Sequence, residues 1–344
     1  MLNVAAKTVT LVVCTLLLSG CTSWRSSFLK WRLGLEPSAA QQAVDAQVQE
    51  RMNRHYALGA TALGRNDLDA AIVAWRQYAA IAPVHLAQTR KVRGHLTLLE
   101  RESARRFAKQ VAAREKSAAH VPSDRLHIAL FPFQNLGPQA AGPATGSFNR
   151  ALMAMIAVDL GRVPSLTVLE REKIDHLLQE LKLADSGLVD PATASTGGRL
   201  LGAGTVIAGS VYNESGPTGP GSGRYKINTA VSDVVAGRVI GAQEADGSQD
   251  EFFRLQKRIV YGILESLDIK DLPAAVHVIH TRSWQAYARF AAGLKLLAED
   301  RFDEAREAFY AALEFDPGFA LAKEAFLNTP EKLASLEEIK AQLR

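Results

Sequence analysis

The sequence predicts an α+β protein, one mixed sheet with covering helices, flanked on both sides by all-α helical hairpins. Three observations predict it. The chain opens on an apolar stretch that ends at a cysteine. Two distant segments repeat the same five small, acidic, aromatic and proline positions. Between them, residues 125–268 alternate between helical and strand-like apolar spacing, in the order β-α-β-α-α-β-β-β-α.

The leader comes first. Residues 1–20 carry one charge, Lys7, followed by a mostly apolar stretch over 8–18, then Ser19, Gly20 and Cys21. That stretch is too short to span a bilayer, which takes roughly 20 residues in a helix. A short apolar core behind a charged start, closing on small residues, is the pattern of a cleaved export signal. Leu18-Ser19-Gly20-Cys21 resembles the bacterial lipoprotein signal. The resemblance implies lipidation of Cys21, a signal peptide over 1–20 and a lipidated tether over 21–37. Thr22 stands where an aspartate would hold such a protein in the inner membrane, so the expected home is the outer membrane, facing the periplasm. Cys14 lies in the removed segment, so the mature chain keeps no cysteine pair for a disulfide or a C-x-x-C site.

The formal charge is +4 over 344 residues. The excess is local, with nine Lys/Arg against three Glu over 90–116, and is read as one solvated helix face. Nucleic acid is not an expected partner of an exported lipoprotein.

The first hairpin reads "YALGATALGRNDLDAAIVAWRQYAAIAP" and the second "FAAGLKLLAEDRFDEAREAFYAALEFDP". Gly59, Ala71, Trp75 and Pro83 in one match Gly293, Ala305, Phe309 and Pro317 in the other, with Asp69 and Asp303 at equivalent places. Small residues let two antiparallel helices approach, the aromatic fills the gap between them, aspartate caps the second helix and proline ends it. The pattern resembles the tetratricopeptide repeat, which implies protein partners bound by helical concave faces. The helical units are placed at 38–118 and 280–344. About three such units are needed for stability. Helical spacing in 37–54 and 85–116, and again in 318–343, supplies extra helices. Alternatively the two hairpins stack on each other, or on those of a neighbouring subunit in a homo-oligomer.

In the middle region "LHIALFPF" (126–133) is strand-like. "SFNRALMAMIAVDLGR" (147–162) is helical, with Ser147 as its cap and Phe148, Leu152, Met155 and Ile156 on one face. "LTVLE" (166–170) is a strand and "REKIDHLLQELKL" (171–183) a helix. "DPATASTGGRLLGA" is a helix with Asp190 as cap and Pro191 at its first position. Strands follow at 205–213, 224–235 and 238–245, and an amphipathic helix at 249–267.

Taken in order, "IALFPFQN" (128–135), "LEREKIDHLLQELKLADSGLVD" (169–190), "GTVIAGSV" and "VSDVVAGRVIGA" (231–242) resemble the curli assembly and transport family (CsgG-type) and the related TolB amino-terminal domain. The resemblance implies export or assembly of cell-surface material. The family's transporters form rings whose subunits each add β-hairpins to a membrane barrel. A barrel strand needs about 9–11 residues of alternating polarity. Here only ten residues, "ESGPTGPGSG", separate Asn213 from Arg224, and 249–267 has helical spacing where the second hairpin belongs. The expected function is therefore an accessory or scaffold factor. The alternatives are a lipoprotein regulator of a cell-wall synthase, which needs a longer tether than 22–37, and an oligomeric secretion pore.

Catalytic chemistry finds no footing. "GPTGPGSG" leads into a strand, "GGRLLGAG" ends a helix, and no phosphate-binding G-x-x-x-x-G-K-[ST] or G-x-S-x-G elbow occurs. His277 and His280 sit three apart in an extended segment with no acidic partner nearby in sequence. His176, among Glu170, Glu172 and Asp175, is read as part of a charged helix start. No enzyme activity, cofactor or metal is expected.

Overall fold

A computed structural model describes residues 29–30, 33–36, 44–114, 124–136, 145–180, 191–214, 223–332 and 334–343. Cys21, Asp190 and the 215–222 connection lie outside the described residues. The fold is α+β. Strands β1 (His127–Leu130), β2 (Gln134–Asn135), β3 (Thr167–Val168), β4 (Thr205–Glu214), β5 (Arg224–Asp233) and β6 (Arg238–Ser248) form one sheet in the order β3-β1-β4-β5-β6. β2 continues β1 alongside β4. β1 pairs in parallel with β3 and β4, whereas β4, β5 and β6 are antiparallel. A parallel strand buried on both faces reads as a continuous apolar run, which is why "HIAL" shows no alternation.

Alternation sorts the two faces of the sheet. Ile128, Leu130, Ile207, Ile227 and Val231 point to one side, against helices α4 (Thr145–Gly161) and α7 (Phe252–Ser266). Ala129, Phe131, Val206 and Ala208 point to the other. There they meet α5 (Arg171–Glu180), α6 (Pro191–Leu201) and the last turns of α3 (Ala87–Arg114). Ser147 is inside α4 and does not cap it, because the helix already begins at Thr145.

The helices outside the sheet pair locally. α1 (Ala46–Gly64) and α2 (Leu68–Ile81) form one hairpin. α8 (Trp284–Ala298) and α9 (Phe302–Phe315) form the other. A Cβ on Gly59 would stand 2.1 Å from Trp75 Cδ1, and one on Gly293 would stand 2.4 Å from Phe309 Cε1. Each indole or phenyl ring thus occupies the space a side chain would take. Ala71 and Ala305 are fully buried beside them, Pro83 is half-buried, and Pro317 is exposed just past α9.

The aspartates expected as caps take other places. Asn66 and Asp300 adopt φ of 63° and 60°, which closes each turn early and starts the second helices at Leu68 and Phe302. Asp67 caps α2 by accepting from Ala70 N at 3.0 Å. Asp69 falls in the first turn and accepts from Ser103 Oγ at 2.8 Å. Asp303 also falls in a first turn, behind Arg301, which makes no side-chain cap. Nor is there a separate helix over 46–54: those residues are the start of α1, capped by Asp45.

α3 is the spine of the molecule. Its 28 residues span about 42 Å. Val92, Leu96 and Leu99 sit in the core of the first hairpin, and Ala108 in the core beneath the sheet. The basic run on this helix is only in part a solvated face: Lys91, Arg105 and Lys109 are exposed, whereas Arg93 and Arg101 reach the second hairpin. Arg93 donates to Glu324 at 3.0 Å and to Asn328 at 2.8 Å, both on α10 (Ala320–Asn328), and to Ala79 O at 3.1 Å. Arg101 pairs with Asp300 at the turn between α8 and α9. Thr97 adds a bond to Asn328 O at 2.7 Å. The two hairpins therefore meet through their following helices, α3 against α10. The chain then returns, and α11 (Leu336–Ala341) places Ile339 in the core of the first hairpin.

Leu29 and Leu33 are buried in the main core at 4% and 2% exposure, so the segment expected as tether touches the fold at these two residues. Among the described residues, no helix is long and apolar enough to cross a membrane.

Candidate functional site

Two constellations of polar side chains stand out where the sheet domain meets the helices. The first is buried. Asp159, near the end of α4, has no exposed side-chain surface. Its Oδ2 accepts from Lys257 Nζ at 2.6 Å and Gln256 Nε2 at 2.9 Å, both on α7. Its Oδ1 accepts from Arg162 Nη1 at 3.0 Å and lies 3.0 Å from His280 Nε2. Burial works to raise the pKa of this carboxyl, but His280, Lys257 and Gln256 outweigh it and hold it below the usual carboxylate range. Lys257 and Arg162 also donate to Val276 O and Ala275 O, at 2.8 and 2.7 Å. One carboxylate thus fastens the 274–280 connection, which leads into the second hairpin, to α4 and α7.

His280 has an acidic neighbour after all, supplied by a residue more than a hundred positions away in sequence. That neighbour is already surrounded by cations, so the arrangement is an ion-pair network and not a ligand set. His277 instead meets Tyr261 Oη at 3.0 Å. Among the described residues, no group of three His, Cys, Asp or Glu side chains could hold a metal ion.

The second constellation is a cleft of about 360 Å³ bounded by α3, α4, α5 and α8. Its floor is apolar, built from Met153, Ala154 and Ala157 of α4 and Leu294 and Leu297 of α8. Arg101, Arg150, Arg171 and His176 stand along it, with Glu172 and Asp175. Arg150 Nη1 and Arg171 Nε share one acceptor, Asp175 Oδ2, at 3.5 and 3.2 Å. Arg171 Nη1 also donates to Arg150 O at 3.1 Å, which fixes α5 against α4. Burial, and then the charge of Arg171, push the Arg150 guanidinium below its ordinary pKa. Burial lowers His176 as well, followed by Arg105 and Arg101. Glu170, read from sequence as a helix-start acid, accepts from Arg76 of α2 at 2.7 Å and pairs with Lys173 at 3.2 Å. Burial works against its ionisation, but Arg76 and Lys173 hold its pKa low.

Sequence spacing had no means of finding either constellation, since each draws on three or more elements. It also passed over the contact that seats the second hairpin. Trp284 and Tyr287 of α8 pack with Phe148, Tyr225 and Phe252, ring centroids 5.0–5.6 Å apart around Phe148. Tyr287, fully buried, donates from its hydroxyl to Phe148 O at 2.8 Å. The available signal was the density of aromatics in "SWQAYARF", more than one hairpin face needs. Because Trp284 and Tyr287 pack α8 against α4, that side of the second hairpin's first helix is not free to line a concave binding face.

Residues 108–259 match the family described as "Curli production assembly/transport component CsgG". No curated protein matches. Among solved structures, the C-terminal domain of LpoB from Salmonella enterica is similar at 13% identity, covering 41% of this chain and 95% of that one, with a TM-score of 0.28.

Proposed function

From a chain whose residues 108–259 match the CsgG family, we propose a non-enzymatic accessory or scaffold factor for the export or assembly of cell-surface material. The family match is the observation that carries the reading. In it, Cys21 carries the lipid that holds the protein at the outer membrane, facing the periplasm. Gly59, Ala71, Trp75 and Pro83, with Gly293, Ala305, Phe309 and Pro317, build tetratricopeptide-type hairpins whose work is to present a surface to protein partners.

One feature supports a scaffold over a pore. Residues 252–266 form α7, with Phe252, Leu255, Ile259, Val260 and Ile263 buried under the sheet, and such a helix is not available as membrane strands. From Cys21 to the buried Leu29 the chain can reach at most about 28 Å, which keeps the folded body close to the membrane and weighs against the synthase regulator, which must reach across the periplasm.

The test is genetic. Deleting the chain from its own cell should reduce an exported surface material, measured on intact cells by surface shaving and staining. The wild-type chain should restore it, and Cys21→Ser should not. An unchanged surface in the deletion strain would overturn the proposal.

A further inference from the structure

The start of α3 gathers donors that nothing in the fold uses. A helix N-terminus leaves backbone N–H groups without intrahelical acceptors and carries positive potential, which suits an anion. Thr89 N and Arg90 N both donate to Leu86 O, but among the described residues the amides of Ala87 and Gln88 have no acceptor, and the first turn holds no acid. Arg90 Nη1 donates to Val84 O at 3.3 Å and to His85 O at 2.6 Å, which leaves its Nε and Nη2 without an acceptor among the described residues. Neither Arg90 nor Lys91 forms an ion pair with a described carboxylate.

These groups line a pocket. It measures about 420 Å³ and lies between α3 and the 330–334 connection that leads into α11. Gly94 lets that connection come close, since a Cβ there would stand 3.0 Å from Pro330 Cα. His95 lines the same pocket at 9% exposure, its ring 6.0 Å from that of Trp75 and without a hydrogen-bond partner among the described residues. A nearly buried imidazole is rarely left unpaired, and in its neutral form it offers one N–H donor. Glu331 and Lys332, on the opposite wall, have neighbours of opposite charge in Arg306 and Glu338. The charges left over are those of Arg90 and Lys91.

Position narrows the ligand. The N-terminal segment passes at Gly34, where a Cβ would stand 3.1 Å from Val84 Cγ2. Val84 in turn supplies a carbonyl to Arg90. The pocket therefore borders the place where the tether joins the body, and from Cys21 to Leu29 the chain spans at most about 28 Å. Its volume exceeds what a bare phosphate ion fills and suits a headgroup that carries one.

We propose that this pocket binds the phosphate of an anionic lipid headgroup, held by Arg90, Lys91 and His95 at the N-terminus of α3. The inference rests on the membrane tether proposed above and adds a second contact to the same leaflet, because one lipid-linked cysteine fixes distance but not orientation.

The test uses the full chain in neutral maltoside micelles, labelled with ¹³C at the histidine Cε1 positions. His95→Gln identifies the His95 signal by its loss. Doping the micelles with phosphatidylglycerol should move that signal and leave His280, which is bound to Asp159, in place. Oleate, an anionic lipid without phosphate, should move it less, and glycerol 3-phosphate should move it only at higher concentration. Arg90→Gln should weaken the phosphatidylglycerol response by about tenfold, the effect of one hydrogen bond to a charged group. Lys91→Gln is the second variant, and the remaining histidine signals without lipid report whether each variant is folded. No movement of His95 with phosphatidylglycerol, an equal response to oleate, or a response unchanged in both variants overturns the proposal. Glycerol 3-phosphate binding as tightly as the lipid overturns the assignment to a headgroup. The titration needs no anchor, so its failure removes this site alone, whereas an unchanged surface phenotype in the deletion strain removes the scaffold reading.

Discussion

Asp159 shows how one residue can fix a junction. Its carboxylate is fully buried, and so, nearly, is Lys257 at 6% side-chain exposure. Removing one member of such a pair leaves the other buried without compensation. Asp159→Asn should therefore cost about 3–5 kcal/mol in urea unfolding. The folded pKa of Asp159 is held below its ordinary value, so its contribution is present above about pH 4 and disappears as the pH falls further. His95 acts in a higher window. Burial, then the charge of Lys91, lower its pKa to about 4 from 6.5, so the folded state binds fewer protons there than the unfolded chain does. Stability should fall as the pH drops from 6.5 towards 4, and His95→Gln should flatten that slope. A slope unchanged in the variant would assign it to other groups. At Gly293, where a Cβ would meet the Phe309 ring, Gly293→Val should cost about 1–3 kcal/mol by overpacking. Of the partners of Asp159 only Arg162, three residues on, has a local spacing; Lys257 and His280 could not be read from sequence. The glycine–aromatic contacts could be, because both partners sit in one hairpin at a fixed offset.

At the scale of elements, α3 and α11 carry the least expected arrangement. Helical spacing in 85–116 was legible, but a helix that serves two cores has no single apolar stripe. Its first half faces the α1–α2 hairpin and its last turns face α5 and α6. The charged residues between those stripes looked solvated for the same reason, whereas Arg93 and Arg101 bind groups at 324, 328 and 300 that only the fold brings near. α11 closes the chain on the first hairpin through Ile339, 1% exposed, and through Lys340, whose Nζ reaches Asn66 Oδ1 at 3.3 Å. Ile339→Ala should cost about 2–5 kcal/mol. Hydrogen exchange should then accelerate in α1 and the first half of α3 while the amides of β4 and β5 keep their protection. Uniform acceleration throughout would mean that the helical units and the sheet unfold as one, without a separable first hairpin.

In the whole molecule the two helical units meet each other directly, beside the sheet, through α3, α10 and α11. The order of the main elements along the chain, the helix after β6 and the two hairpins were legible in apolar periodicity, since each is a local pattern. The meeting of α3 with α10, the seating of α8 on α4 and the cleft between them were not, since they depend on which surfaces are left over once each element has formed. A ring-forming transporter and a scaffold make opposite demands on mass. The deciding measurement is light scattering on the full chain after size exclusion, across a series of detergent concentrations. The scaffold account predicts a protein mass of one or two copies at every concentration. A discrete ring of many copies, stable only in detergent, would contradict it and restore the pore.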